Sequence, residues 1–169
     1  MTAALWSRVD ADKAAIARRY LTTYPVKVGE LAEELGLKVV RAPLPPKISG
    51  LIQPSADAPA GFEIKVNKYE VPERQRFTVA HEVAHYLLHR GDIGAGVVDS
   101  IMYRSSLTSR KETEANRLAA EIIMPANEVS KELRRLGGVR SDSVAEELAA
   151  IFRVSVPAMK VRLGSRRKL

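Results

Sequence analysis

Apolar residues recur at helical spacing along most of this chain, and they alternate with polar ones only in a short stretch before residue 68. Ala14, Ala15, Ile16, Ala17 and Leu21 predict a first helix that Asp10 or Asp12 caps and that runs to about Thr22. Tyr24-Pro25 breaks it. A second helix is predicted from about Val28 to Leu35, with Gly36 at the position after the helix where a left-handed residue is favoured. Residues 37–41 and 49–53 read as strands, separated by a proline-rich loop. Residues 61–67 alternate Phe62, Ile64 and Val66 with polar neighbours, as a half-exposed strand does.

The period then changes. Pro72 and Glu73 suit the first turn of a helix, and Phe77, Val79, Ala80, Val83, Ala84, Leu87 and Leu88 follow at helical spacing. Gly91, Gly94 and Gly96 mark a loop, with room for a short strand, that lasts to about Ser109. Ser109-Arg110-Lys111-Glu112 is a capping-box pattern, and Ala115, Leu118, Ala119, Ile122 and Ile123 continue it as a helix. Met124-Pro125 closes that helix and Pro125 opens another, which Gly137-Gly138 ends. Val144, Leu148, Ala149 and Phe152, then Val156, Met159, Val161 and Leu163, predict two more short helices. The expectation is an α+β fold, with a body over residues 1–136 and a C-terminal helical segment over 137–169.

Composition narrows the chemistry. The 169 residues include no Cys, which removes disulfides and thiolate metal sites, so a zinc ion here must be held by His and carboxylates. No apolar run approaches a membrane span and the N-terminus carries no secretory apolar core, so no membrane is expected and the cytoplasm is the default location. The net charge of +7 is uneven: residues 126–169 hold ten basic and five acidic residues. Such an end can meet nucleic acid or simply be solvated.

The chemistry concentrates in His81-Glu82-Val83-Ala84-His85, an H-E-x-x-H pattern on the predicted helix. Residues four apart share a helix face, so the two imidazoles can converge on one zinc ion at about 2.0–2.1 Å. Glu82 leaves the helix about 100° away, placed to serve water as a general base rather than to ligate. All three His of the chain fall on this helix between apolar residues. A buried His–Glu–His cluster is costly unless something satisfies it, and a metal does so.

A catalytic zinc usually has three protein ligands. His89 is eight residues past His81, on a drifting face, and is expected beside the ligands rather than on the ion. A downstream carboxylate is needed. The helical wheel does not choose between Glu112 and Glu114, but the capping box gives Glu112 another task, which leaves Glu114. Tyr103, between the two motifs, is a candidate to stabilise an oxyanion.

Residues 76–89, from Arg76 through His81-Glu82-Val83-Ala84-His85 to His89, resemble the motif helix of the ImmA/IrrE family of zinc metallopeptidases. Residues 111–125, with Glu114-Ala115-Asn116 and the closing Met124-Pro125, are similar to that family's second signature, with Leu118 in place of its usual Phe. The resemblance extends over about residues 25–125. It implies a zincin-like core, a zinc ion on His81, His85 and the Glu beside Ala, which is Glu114, and Glu82 as the catalytic base. It further implies cleavage of a regulatory protein, a helix-turn-helix repressor or antitoxin.

Two further expectations concern partners. The strand at 62–67 is a candidate to hold an extended substrate by edge pairing. Residues 149–163 have the cadence of a helix-turn-helix, in which Arg153, Lys160 and Arg162 would meet phosphate. Nucleic-acid binding is not favoured, because Val156, Ala158 and Met159 are poor base readers. The rival to a peptidase is a DNA-binding regulator with a structural zinc site. An intact Glu82 argues against it.

Overall fold

The computed structural model describes residues 2–93 and 109–164. Helices α1 (Thr2–Trp6), α2 (Ala11–Tyr20) and α3 (Val28–Glu34) lead into strands β1 (Lys38–Ala42), β2 (Gly50–Pro54) and β3 (Phe62–Asn67). Helix α4 (Pro72–His89) follows, then α5 (Ser109–Ile123), α6 (Ala126–Arg135), α7 (Asp142–Phe152) and α8 (Val156–Arg162). The architecture is α+β, as its pattern predicts. None of the described helices is long and apolar enough to cross a membrane.

The sheet order is β1-β3-β2. β3 runs parallel to β1, with Ile64 opposite Val39, and antiparallel to β2, with Ile64 opposite Ile52. The strand expected to pair with a substrate is therefore the central one, and its backbone groups are spent on both neighbours. The outer strands are β1 and β2.

Helix α4 is the axis of the molecule. Its middle is buried almost continuously from Thr78 to Leu87. Ala80, Val83 and Ala84 are fully covered, as are Ala115, Leu118, Ala119 and Ile122 of α5, and the two helices pack against each other. β2 lies close on its other side: a Cβ built on Gly50 would sit 2.4 Å from Thr78 Cγ2 and 2.6 Å from the Lys65 carbonyl oxygen. Only glycine admits that approach. At the end of β3, buried Asn67 donates from its side-chain amide toward the carbonyls of Leu44, Pro45 and Ile48 at 3.1, 3.3 and 2.9 Å. That one side chain ties down the loop leading into β2.

The C-terminal helices complete the same core. Leu148, Phe152 and Met159 are fully buried. Phe152 stacks on Tyr24 with ring centroids 4.6 Å apart, and Tyr24 donates to Glu132 at 2.5 Å. Ser141 and Ser155 cap α7 and α8 by accepting from the backbone N–H groups of Val144 and Ala158. Arg76 of α4 donates to the carbonyls of Val26 and Arg153, joining the start of the chain to its end through the motif helix.

Candidate metal centre

Helix α4 presents His81, His85 and His89 in one row, each four residues from the next. The Nε2 atoms of His81 and His85 face each other at 3.0 Å. Glu112, from the first turn of α5, completes the triangle: Oε2 is 3.3 Å from His81 Nε2 and Oε1 is 3.1 Å from His85 Nε2. A tetrahedral zinc with bonds of about 2.0 Å has ligand–ligand edges of about 3.3 Å. The separations lie near that edge, with one Glu112 oxygen facing each imidazole.

The chemistry of the donors agrees. Glu112 Oε1 is buried with no hydrogen-bond partner among the described residues, although an imidazole nitrogen stands 3.1 Å away. The distance suits a hydrogen bond and the direction does not, as expected when both atoms aim at a common point. The two imidazoles beside it, His81 first and His85 second, hold the Glu112 carboxyl well below the usual carboxylate range, so it is ionised and able to ligate. Burial pushes the His85 imidazole down, toward the neutral form a metal requires. Together His81, His85 and Glu112 form a set able to hold a cation.

Glu114 is elsewhere. Side chains two apart on a helix leave about 200° apart, and the two carboxylates straddle the histidine row. Glu114 Oε2 is 3.0 Å from His89 Nε2, while Oε1 takes Arg8 of the α1–α2 turn at 2.9 Å and Arg110 at 3.2 Å. Arg8 first and His89 second hold its carboxyl down to about 2. Sequence reasoning set Glu112 aside as a cap and chose Glu114. In the structure the Glu112 carboxylate faces the histidine pair, and Glu114 stands behind it.

His89 is the link between the two groups. Its Nδ1 lies 3.0 Å from His85 Nδ1, and burial lowers its basicity as well. Glu82 is 1% exposed beside His81. Tyr103 falls in residues 94–108, outside the described part of the chain. Arg8 was missed altogether, because an exposed arginine ahead of the first strong helical pattern carries no sequence signal.

A cavity of about 270 Å³ opens over the cluster, lined by Ser49, Arg74, Phe77, Thr78, His81, Glu112 and Asn116. A larger one, about 770 Å³, lies beside it and shares Arg74 and Phe77; Ile123, Val154 and Val156 give it an apolar wall. The larger cavity holds none of the candidate ligands. The basic residues of the C-terminal helices are engaged internally: Lys160 pairs with Asp142 at 2.8 Å, and Arg162 pairs with Glu121 and donates to the Met124 carbonyl.

Known proteins share this arrangement of sequence. The chain is 36% identical over 74 residues to the radiation response metalloprotease IrrE of Deinococcus radiodurans and 37% identical over 79 residues to that of Deinococcus deserti. Those matches cover 44% and 47% of this chain but only 23% and 28% of the relatives, so it spans about a quarter of their length. A solved Mycobacterium tuberculosis transcriptional regulator has the same fold over 95% of this chain and 49% of its own, with a TM-score of 0.58 at 17% identity. Residues 32–164 match the peptidase family described as the IrrE N-terminal-like domain. That match takes in both carboxylate-bearing turns, the histidine row and the C-terminal helices, and the chain belongs to this family.

Proposed function

We propose that the chain is a zinc-dependent endopeptidase acting on a regulatory protein, a helix-turn-helix repressor or antitoxin. The observation that carries the reading is the convergence of His81 Nε2, His85 Nε2 and Glu112 at separations of 3.0–3.3 Å. Under this reading His81, His85 and Glu112 hold the ion, with Glu112 in the place that sequence reasoning gave to Glu114. Bound zinc supplies Lewis acidity, polarising the scissile carbonyl and acidifying water. Glu82 takes the proton of the attacking water and delivers it to the leaving amine. Burial of Glu82 keeps that proton from exchanging freely with solvent.

The outer edge of β2 takes over the substrate-pairing role first assigned to β3, since Ser49 at its head lines the small cavity. The larger cavity then receives an apolar side chain of the substrate against Phe77 and Val156. The alternative of a DNA-binding regulator loses ground because Lys160 and Arg162, two of the three cations it needs, are already paired with Asp142 and Glu121.

Glu82→Gln tests the reading. It keeps shape and removes the basic oxygen. It is expected to bind zinc as the wild type does and to lose about 10²–10⁴-fold in cleavage of a cognate regulator, followed by immunoblot on co-expression. Equal cleavage by both forms would assign water activation to another group. Salt-sensitive DNA binding without cleavage by either form would favour the regulator.

A further inference from the structure

We propose that Arg74 binds a main-chain carbonyl of the substrate where the bound chain leaves the edge of β2, and that Ser49 and Glu70 position Arg74 for it. The inference rests on the reading of the chain as an endopeptidase and deepens it, by naming a group that fixes the substrate beside the metal centre.

The contacts begin at the head of β2. The Ser49 hydroxyl donates to Glu70 Oε1 at 2.8 Å. Arg74 Nε donates to Ser49 Oγ at 3.4 Å and lies 3.9 Å from Glu70 Oε2, an oxygen that is buried with no hydrogen-bond partner among the described residues. The guanidinium is thus held from one side, by a hydrogen bond to Ser49 and by the charge of Glu70. Both contacts of Arg74 with described residues fall on Nε, so the four N–H bonds of its two Nη groups are left for another acceptor. Of the described residues, only Arg74 and Phe77 line both the cavity over His81 and Glu112 and the larger cavity beside it. Phe77 has no hydrogen-bonding side chain, which makes Arg74 the side-chain donor common to the two.

A chain paired with the outer edge of β2 has ladder partners for its main chain only as far as Ser49. Past that point it crosses from the small cavity to the larger one, and a carbonyl taken out of water there needs a donor. Arg74 stands at the crossing. The other common ligand of a guanidinium is an acidic side chain, and charge argues against it. Glu70 and Glu73 line the larger cavity with Arg74, two carboxylates to one guanidinium among the described residues. A neutral carbonyl gains a charge-assisted hydrogen bond without bringing a third carboxylate. The carbonyl bound by Arg74 is not the scissile one, so ground state and transition state share the contact. Its contribution therefore falls on KM rather than on kcat.

The test offers a library of proteome-derived peptides to the zinc-loaded full chain and takes the best-cleaved peptide for kinetics. Binding of that peptide to Glu82→Gln protein, read by fluorescence anisotropy, gives affinity without turnover. The Arg74 side chain is 63% exposed, so its variants should fold, and thermal unfolding checks that they do. Arg74→Ala is expected to raise KM and weaken binding by about 10–100-fold, the scale of a lost hydrogen bond to a charged group, with kcat little changed. Arg74→Lys, which keeps the charge and loses the fork, should fall between, and Glu70→Gln should move both readouts the same way by less. Peptides with one carbonyl at a time replaced by a thiocarbonyl, a weaker acceptor, locate the contact: at one position the replacement should weaken binding when Arg74 is present and have no effect in Arg74→Ala. Absence of such coupling at every position would overturn the proposal. So would a fall in kcat at unchanged KM, which would put Arg74 on the transition state. A preference for Asp or Glu at one position that vanishes in Arg74→Ala would make a side chain the ligand and end the proposal too. A wild type that holds zinc yet neither cleaves nor binds any library peptide would overturn the endopeptidase reading, and the inference with it.

Discussion

Helices α4 and α5 form one packed pair, and α7 and α8 form another, yet they treat polarity in opposite ways. In the C-terminal pair the interior is Leu148, Phe152 and Met159, and the charges are matched, Lys160 with Asp142 at the surface and Arg162 with Glu121 of α5. In the α4–α5 pair His81, His85, His89 and Glu114 are buried among Ala80, Ala84, Ala115 and Ala119, which are buried too. Most of those polar atoms have partners, but His81 Nδ1, and Oε1 of Glu112 beside them, have none among the described residues. Burying polar groups costs stability unless they are satisfied. A chain that satisfies its charges in one helix pair and leaves them converging in another is using the second for something besides folding.

The largest expected effect bears on that convergence. Purified wild type is expected to hold one zinc per chain and Glu112→Ala to lose it, while Glu114→Ala still binds zinc in excess metal. Metal analysis of both proteins decides, and a zinc-free Glu114 variant beside a zinc-loaded Glu112 variant would reverse the assignment.

Next comes the scaffold. Phe152→Ala empties a fully buried site stacked on Tyr24 and should lower stability by about 3–5 kcal/mol in urea denaturation, with zinc per folded chain unchanged. A parallel loss of zinc would show the two helix pairs to be coupled.

Gly50→Ala is expected to cost about 1–3 kcal/mol, since its Cβ meets Thr78 and the Lys65 carbonyl and one of them must yield. Thermal unfolding reads the loss. A neutral result would mean that β2 is looser on α4 than the packing shows.

The smallest effect is at Tyr24, whose hydroxyl donates to Glu132. Removing that bond in Tyr24→Phe should cost about 0.5–1.5 kcal/mol near neutral pH. The bond to Glu132 pushes the Tyr24 hydroxyl from 10.0 up to about 12, and the same bond and Arg135 lower the Glu132 carboxyl from 4.5. A tyrosine whose folded pKa is raised contributes stability that is whole below 10 and lost as pH rises through about 12. A carboxyl whose folded pKa is lowered contributes stability that is whole above 4.5 and lost as pH falls. The difference between wild type and variant should therefore be flat from about pH 5 to 9 and shrink on both sides. A difference independent of pH would mean that packing, not the bond, is what the phenol supplies.

The boundaries of α3 and α4 were legible because local signals agree with burial there: Gly36 ends the first at φ +82°, and Pro72 opens the second. The three strands were legible too, but their order was not. Alternation along residues 62–67 reports which face is buried and says nothing about which edges are paired, so a central strand passed for an edge. Where Glu112 and Glu114 stand relative to the histidine row was not legible for a related reason. Both border the same stripe of α5, and what separates them is where α5 crosses α4, a fact of tertiary packing. Helix α1 escaped notice because a five-residue helix has too few positions to show a period, and Arg8 went with it.

Asn67 has a consequence for what can replace it. Its amide nitrogen has two hydrogens and three carbonyl oxygens around it, while its own oxygen accepts from the Tyr69 backbone N–H. Aspartate is the same shape, yet it would turn lone pairs toward three oxygens that already carry them, and the loop from Leu44 to Ile48 would be pushed away instead of held. Ser49, at the mouth of the cavity over His81, follows directly from that loop. At this position isosterism is no safeguard: exchanging one nitrogen for an oxygen, with volume conserved, inverts the sign of all three carbonyl contacts that hold the loop beside the rim of the site.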